Sequence, residues 1–229
     1  LMDMELVAPK YCVQGLLPQG LCILGGAPKI GKSWLVLWLA HRVCLGENVW
    51  EFKSRQCDVL YISLEDPERR IQSRVAEITR GETGNLWFAT ETELMGRGFE
   101  EQITGFLVEH PSVKFIIVDR LQKVRQRRAD QYSYAGDYEV ISQMKSLADR
   151  FGITILLVHH TRKAGAADPF SMISGTTGLS GGVDGSLVML KDERMDNQAK
   201  LYVTGRDNFA WLVAKYQGRL PFDAIVIDE

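Results

Sequence analysis

The chain has only four cysteines, Cys12, Cys22, Cys44 and Cys57, and no two of them form a C-x-x-C pair. That spacing argues against a disulfide framework or a zinc ribbon and suits reduced thiols in a cytosol. No apolar run reaches the ~20 residues that a membrane-spanning helix needs. The opening stretch "LMDMELVAPKY" lacks the basic and then apolar layout of a signal peptide. A cytoplasmic protein without membrane contact is the expectation. Charge of one sign is also missing: the net charge is −2, so any surface for a polyanion must be local. Internal repeats and low-complexity tracts are absent. The first residue is Leu rather than Met, and the chain is expected to be a piece of a longer polypeptide.

The 229 residues are 45% hydrophobic and 24% charged, ordinary values for a globular protein, and they suffice for one sizeable α/β domain. Short β-rich runs alternate with helical patterns. Strands are expected at Leu21–Gly25, Val59–Leu64, Leu86–Ala89, Phe115–Asp119 and Ile153–His159, and helices at Ser33–Leu45, Pro67–Arg80, Phe99–Glu109 and Tyr138–Phe151. Uninterrupted apolar runs such as "FIIVD" and "ITILLV" imply strands buried on both faces, as in a parallel sheet covered by helices. After Asp184 the rhythm changes to closely spaced strands ("GSLVMLK", "AKLYVTGR", "FAWLVAKY", "DAIVID"), read as an antiparallel extension of the same sheet. The fold class is thus α/β, a mainly parallel sheet flanked by helices with an antiparallel C-terminal extension. A single domain over 1–229 is expected, with a lead-in at 1–18, a nucleotide-binding core at 19–191 and the strand extension at 192–229.

Gly26 through Ser33 read G-x-x-x-x-G-K-S, between an apolar strand and an apolar helix. Gly26 and Gly31 permit backbone conformations that a Cβ would block. The loop's N–H groups can then converge on phosphate oxygens at the positive end of the helix. The predicted nucleotide-binding stretch is Gly26, Ala27, Pro28, Lys29, Ile30, Gly31, Lys32, Ser33 and Trp34, with Lys32 directed at the β/γ-phosphates and Ser33 at Mg²⁺. Asp119 closes the strand "KFIIVD" and is the second expected Mg²⁺ anchor. The following residue is Arg120 rather than a glutamate, so the catalytic base must come from elsewhere. Glu65, ending "VLYISLE", stands where doubly wound sheets place their ligands. Its neighbour Asp66 precedes Pro67 and is expected to cap the next helix.

A phosphate loop, a Glu at the end of the next strand and a bare Asp after the later one resemble the RecA/DnaB group of P-loop ATPases. More closely, "GLLPQGLCILGGAPKIGKSWL", "YISLEDP", "IIVDRL", "LLVHHTRK" and "YVTGRDN" resemble, in order, the RepA-like ATPases of plasmids, phages and integrated mobile elements. The resemblance implies a RecA-like core, ATP with Mg²⁺, a homo-oligomeric ring (often hexameric) and translocation on single-stranded DNA.

His159 and His160 end a strand, and the remaining histidines, His41 and His110, lack ligand spacing to them, which argues against zinc. By resemblance His160 is a γ-phosphate sensor; a histidine pair satisfied at a sheet edge is the alternative. Two loops beyond strand ends carry Arg125, Arg127 and Arg128, and Arg162 and Lys163. RecA-like rings point such loops into the channel, where cations contact phosphates without reading sequence. By the same resemblance Arg206 reaches the neighbouring subunit's site and stabilises charge on the transferred phosphoryl group. Its alternative is a salt bridge with Asp207, and Arg162 and Lys163 are the substitutes. The expected function is a Mg²⁺-dependent ATPase of helicase type, the alternative an ATP-gated regulatory or assembly protein of RecA/KaiC type.

Overall fold

The computed structural model describes residues 10–79, 81, 83–125, 134–161, 168–173, 179, 181–191, 198–205, 208–214 and 225–228. The N-terminal part holds β1 (Tyr11–Val13) and β2 (Leu17–Pro18), a small antiparallel pair that the sequence reading missed. Then come β3 (Gly20–Gly26), α1 (Lys32–Leu45), β4 (Asp58–Ser63), α2 (Glu68–Ile78), β5 (Leu86–Ala89) and α3 (Phe99–Glu109). They are followed by β6 (Val113–Asp119), α4 (Leu121–Val124), α5 (Tyr134–Phe151) and β7 (Thr154–His160). After a 3₁₀ turn at Pro169–Met172 lie β8 (Gly185–Leu190), β9 (Lys200–Gly205), β10 (Asn208–Ala214) and β11 (Ile225–Asp228).

Nine strands form one sheet in the order β11-β10-β9-β8-β3-β7-β6-β4-β5. From β8 to β5 every neighbouring pair is parallel, and from β8 to β11 every pair is antiparallel. The reversal therefore comes one strand later than the change of sequence rhythm: "GSLVMLK" still runs parallel to β3 and only then does the chain turn back along β9.

The apolar runs are buried on both faces because alternate residues serve two cores. Along β3, Cys22 and Leu24 join β4, β6 and β7 residues Tyr61, Ile117 and Val158 beneath α1. The intervening Leu21 and Ile23 join Ile62, Val118 and Leu157 beneath α3 and α5. Period-two alternation thus fills both layers, as a sheet covered on each side requires. α1 is buried nearly all round, with Leu35, Val36, Leu37, Leu39, Ala40 and Val43 in the first core. This fixes the helix, and with it the loop at its N-terminus, against the centre of the sheet. Among the described residues no helix is long and apolar enough to cross a membrane.

Candidate active site

The carboxyl ends of β3, β4, β6 and β7 open onto a cleft of about 690 Å³. Its floor is the loop between β3 and α1. Gly31 heads α1 with φ 108°, and Lys29 has φ 66°, so the loop turns through left-handed conformations. A Cβ on Gly26 would lie 2.9 Å from the Met189 carbonyl oxygen and 2.7 Å from Ile30 Cδ1. The first glycine is thus required by close packing and the second by its torsion. Backbone N–H groups at a helix start, with a lysine beside them, form a cradle for phosphate oxygens.

Lys32 is buried, and its Nζ donates to the carbonyl oxygens of Gly26 and Ala27, each at 2.7 Å, and faces His160 Nδ1 at 3.1 Å. Burial lowers its pKa to about 8, against the pull of Asp119. His160 is lowered to about 4 by burial, then by the Lys32 and Arg120 cations, so it is neutral at physiological pH. The sequence reading placed His160 near the γ-phosphate, and the structure puts it on the cleft wall in contact with the loop lysine.

Asp119 is buried at the end of β6, where the Tyr61 hydroxyl donates to its Oδ2 at 2.9 Å. One carboxylate oxygen is thereby oriented. Ser33 and Asp119 both line the cleft, a hydroxyl and a carboxylate of the hard oxygen type that Mg²⁺ takes alongside substrate phosphates and water. Glu65 lines the same cleft just beyond β4, and Arg120 forms an ion pair with its Oε1. The loop, the Lys32 ammonium, the Ser33 hydroxyl and the Glu65 and Asp119 carboxylates therefore meet in one place.

Two expectations are corrected. Asp66 does not cap α2, whose N-terminus at Pro67 carries no side-chain cap. Instead Asp66 is buried and accepts from Arg70 at 2.8 Å and from Arg74, while the Arg74 guanidinium stacks 5.3 Å over the Trp34 ring. Two arginines one and two turns into the helix outcompete the backbone for that carboxylate. Arg125, expected among the DNA contacts, is only 13% exposed and pairs with the buried Asp137 of α5 at 2.7 Å. It anchors the start of its loop and is not a cation offered to solvent. Arg127, Arg128, Arg162, Lys163 and Arg206 lie outside the described residues.

The sequence reading missed Tyr61, Arg70, Arg74 and Lys191, all of which reach Asp119, Asp66 or the cleft wall. For Arg70 the i,i+4 spacing from Asp66 was an available signal. For Tyr61 there was none, because its contact depends on the register that sets β4 beside β6.

The AAA domain family AAA_25 matches residues 2–166. The DNA repair protein RadA of Streptococcus pneumoniae is 28% identical over 153 residues, 66% of this chain and 32% of that protein. RadA of Halalkalibacterium halodurans is 30% identical over 156 residues, 66% of this chain and 30% of the relative. The chain thus spans about a third of the length of these relatives. Among solved structures, a DnaB-like replicative helicase aligns at TM-score 0.64, with 12% identity, over 91% of this chain and 54% of that one. A KaiC-like protein from Pyrococcus horikoshii aligns at 0.62, also with 12% identity, over 95% and 94%. These likenesses bear out the RecA-like fold, while a specific tie to plasmid or phage proteins is not among them. With most of its length matched, the chain belongs to the AAA_25 family of AAA domains, and it shares its fold with a DnaB-like helicase and a KaiC-like protein.

Proposed function

We propose that the protein is a Mg²⁺-dependent ATPase of RepA-like type, assembled as a homo-oligomeric ring, that moves along or remodels single-stranded DNA for a plasmid, phage or mobile element. The observation that carries the chemistry is the convergence of Lys32, Ser33, Glu65, Asp119 and His160 on one cleft at the carboxyl ends of the strands. In this reading the loop N–H groups and Lys32 would hold the β- and γ-phosphates, and Ser33 and Asp119 would hold Mg²⁺, whose charge would offset that of the phosphates. Lys32 must leave its loop carbonyls and His160 to do so, so the imidazole contact registers whether phosphate is present. Glu65 takes a proton from the water attacking the γ-phosphorus, and the β-phosphate oxygen leaves with ADP. The DNA-facing loops are assigned from their basic composition, with Arg127, Arg128, Arg162 and Lys163 as the contacts. Arg206 completes a neighbour's site.

One pair of measurements tests the reading: ATP turnover with and without single-stranded DNA, and the mass of the assembly in the same buffer. Turnover stimulated by DNA in a ring-sized assembly is expected. Turnover indifferent to DNA in a monomer would overturn the motor and leave the ATPase.

A further inference from the structure

Arg120 stands immediately after the metal-anchoring Asp119, the position at which many ATPases carry their catalytic glutamate. The sheet brings it to the base by another route. Ser63 of β4 pairs with Asp119 of β6, and Leu64 N–H donates to the Asp119 carbonyl at 2.7 Å, so the two parallel strands stay in register to their last residues. Just past these ends stand Glu65 on one side and Arg120 on the other. Beyond Arg120 the backbone is fixed again, because its carbonyl accepts from Lys123 N–H at 3.0 Å as α4 begins. Its side chain is 25% exposed and forms an ion pair with Glu65, whose side chain is 36% exposed. The Arg120 Nε is buried and has no hydrogen-bond partner among the described residues, so Glu65 is the acceptor on which this guanidinium depends.

We infer that Arg120 is the positioning residue of the catalytic base: it fixes the direction of the Glu65 carboxylate and leaves one oxygen for water. This rests on the ATPase reading above and adds a role for a residue that nothing else in the site explains. A glutamate at a strand end, alone and partly solvated, would lose rotamer freedom each time it met a water molecule. The Arg120 contact is to Oε1, so Oε2 is the oxygen that takes the proton. The guanidinium does not line the phosphate cleft. Its contact in the site is with Glu65, and it bears on Lys32 and His160 by charge alone.

Steady-state hydrolysis of Mg·ATP by the full chain decides the matter, using Arg120→Ala, Arg120→Lys, Glu65→Gln and the double variant Glu65→Gln/Arg120→Ala. The expected result is a kcat lowered by roughly ten- to a hundred-fold in Arg120→Ala with KM within about two-fold, as for loss of alignment alone. Arg120→Lys, which keeps the charge and packing, should recover most of the loss. Adding Arg120→Ala to Glu65→Gln should cost nothing further, since the group it orients is already gone. A purely structural arginine would lower the double variant again, and that result overturns the assignment, as does parental kcat in Arg120→Ala. The ATPase reading fails separately: a parent that binds Mg·ATP without hydrolysing it, or a Glu65→Gln variant as fast as the parent, removes the base and Arg120's role with it.

Discussion

Lys32 and His160 face each other at 3.1 Å across the mouth of the phosphate loop, and the ammonium can only donate, so the imidazole Nδ1 is the acceptor. The neutral ring that this requires agrees with a His160 pKa lowered to about 4. The loop lysine is thus held by two carbonyls and one imidazole, and phosphate must displace these partners.

Nucleotide affinity should therefore depend on alkaline pH. The lysine has a pKa of about 8 in the ligand-free site. Above that value binding a phosphate requires first recovering the proton, so affinity falls as pH rises, by up to about tenfold per unit. Titration with a fluorescent ATP analogue between pH 7 and 9.5 measures it. A flat profile would contradict the placement of Lys32.

Binding and chemistry should separate at Glu65. Glu65→Gln keeps size and one hydrogen-bonding oxygen but cannot accept the water proton, so nucleotide should bind as before while turnover falls ~10²-fold or more. Equilibrium binding and single-turnover hydrolysis on the same preparation check both halves. Unchanged turnover would move the base elsewhere; the buried Asp66, already shared by Arg70 and Arg74, is a poor replacement.

Acid should weaken the fold through His159. This residue is buried, faces the Gln122 amide at 2.9 Å through Nδ1, and has its pKa lowered to about 4 by burial and then by Arg125. Asp137 pulls the other way, while His160 and Lys32 add to the lowering. The folded-state value lies below the ordinary 6.5, so the unfolded chain binds the proton first. Stability from this group is complete above about pH 6.5 and is lost as pH falls towards 4. Thermal unfolding across that range should show a shallower decline in His159→Gln than in the parent. Equal slopes would mean that His159 does not titrate with unfolding.

Much of this was legible in the sequence, and the limit has a physical cause. The strand "FIIVD" and the loop G-x-x-x-x-G-K-S are local signals: continuous burial and backbone torsion are written in consecutive residues. Asp66 and Arg125 were misread because their roles are set by competition. A carboxylate before a helix suits a cap, but two guanidinium groups on that helix bind it more strongly. An arginine in a basic stretch suggests solvent or DNA, yet one buried aspartate on α5, Asp137, draws it inward. The Arg120–Glu65 pair needs the β6–β4 adjacency, which no single segment contains.

Subunit mixing tests whether Arg206 acts between copies. Arg206→Ala should bind nucleotide nearly as the parent does and hydrolyse it far more slowly, since the lost charge matters most in the transition state. Combined with Glu65→Gln subunits, themselves inactive, it should regain part of the turnover, because some interfaces then join an intact Glu65 to an intact Arg206. Mixtures shown to co-assemble yet remaining inactive would reject the intersubunit role.

The reversal between β8 and β9 gives the sheet two chemically different poles. At one, Gly26 and Met189 lie side by side at the phosphate loop; at the other, Gly205 sits opposite Gly185, itself beside Cys22. β9 runs the length between them over six residues, a span of ~20 Å. Whatever the chain delivers after β9 therefore starts at the pole remote from its own nucleotide, while Gly205 and Asn208 pair with each other there. In the ring proposed above, the site at one pole would meet the segment that follows β9 of the next copy at the other. Copies that use both must associate head to tail, through unlike surfaces, which leads to a closed ring when the rotation per step divides a full turn and to a filament when it does not.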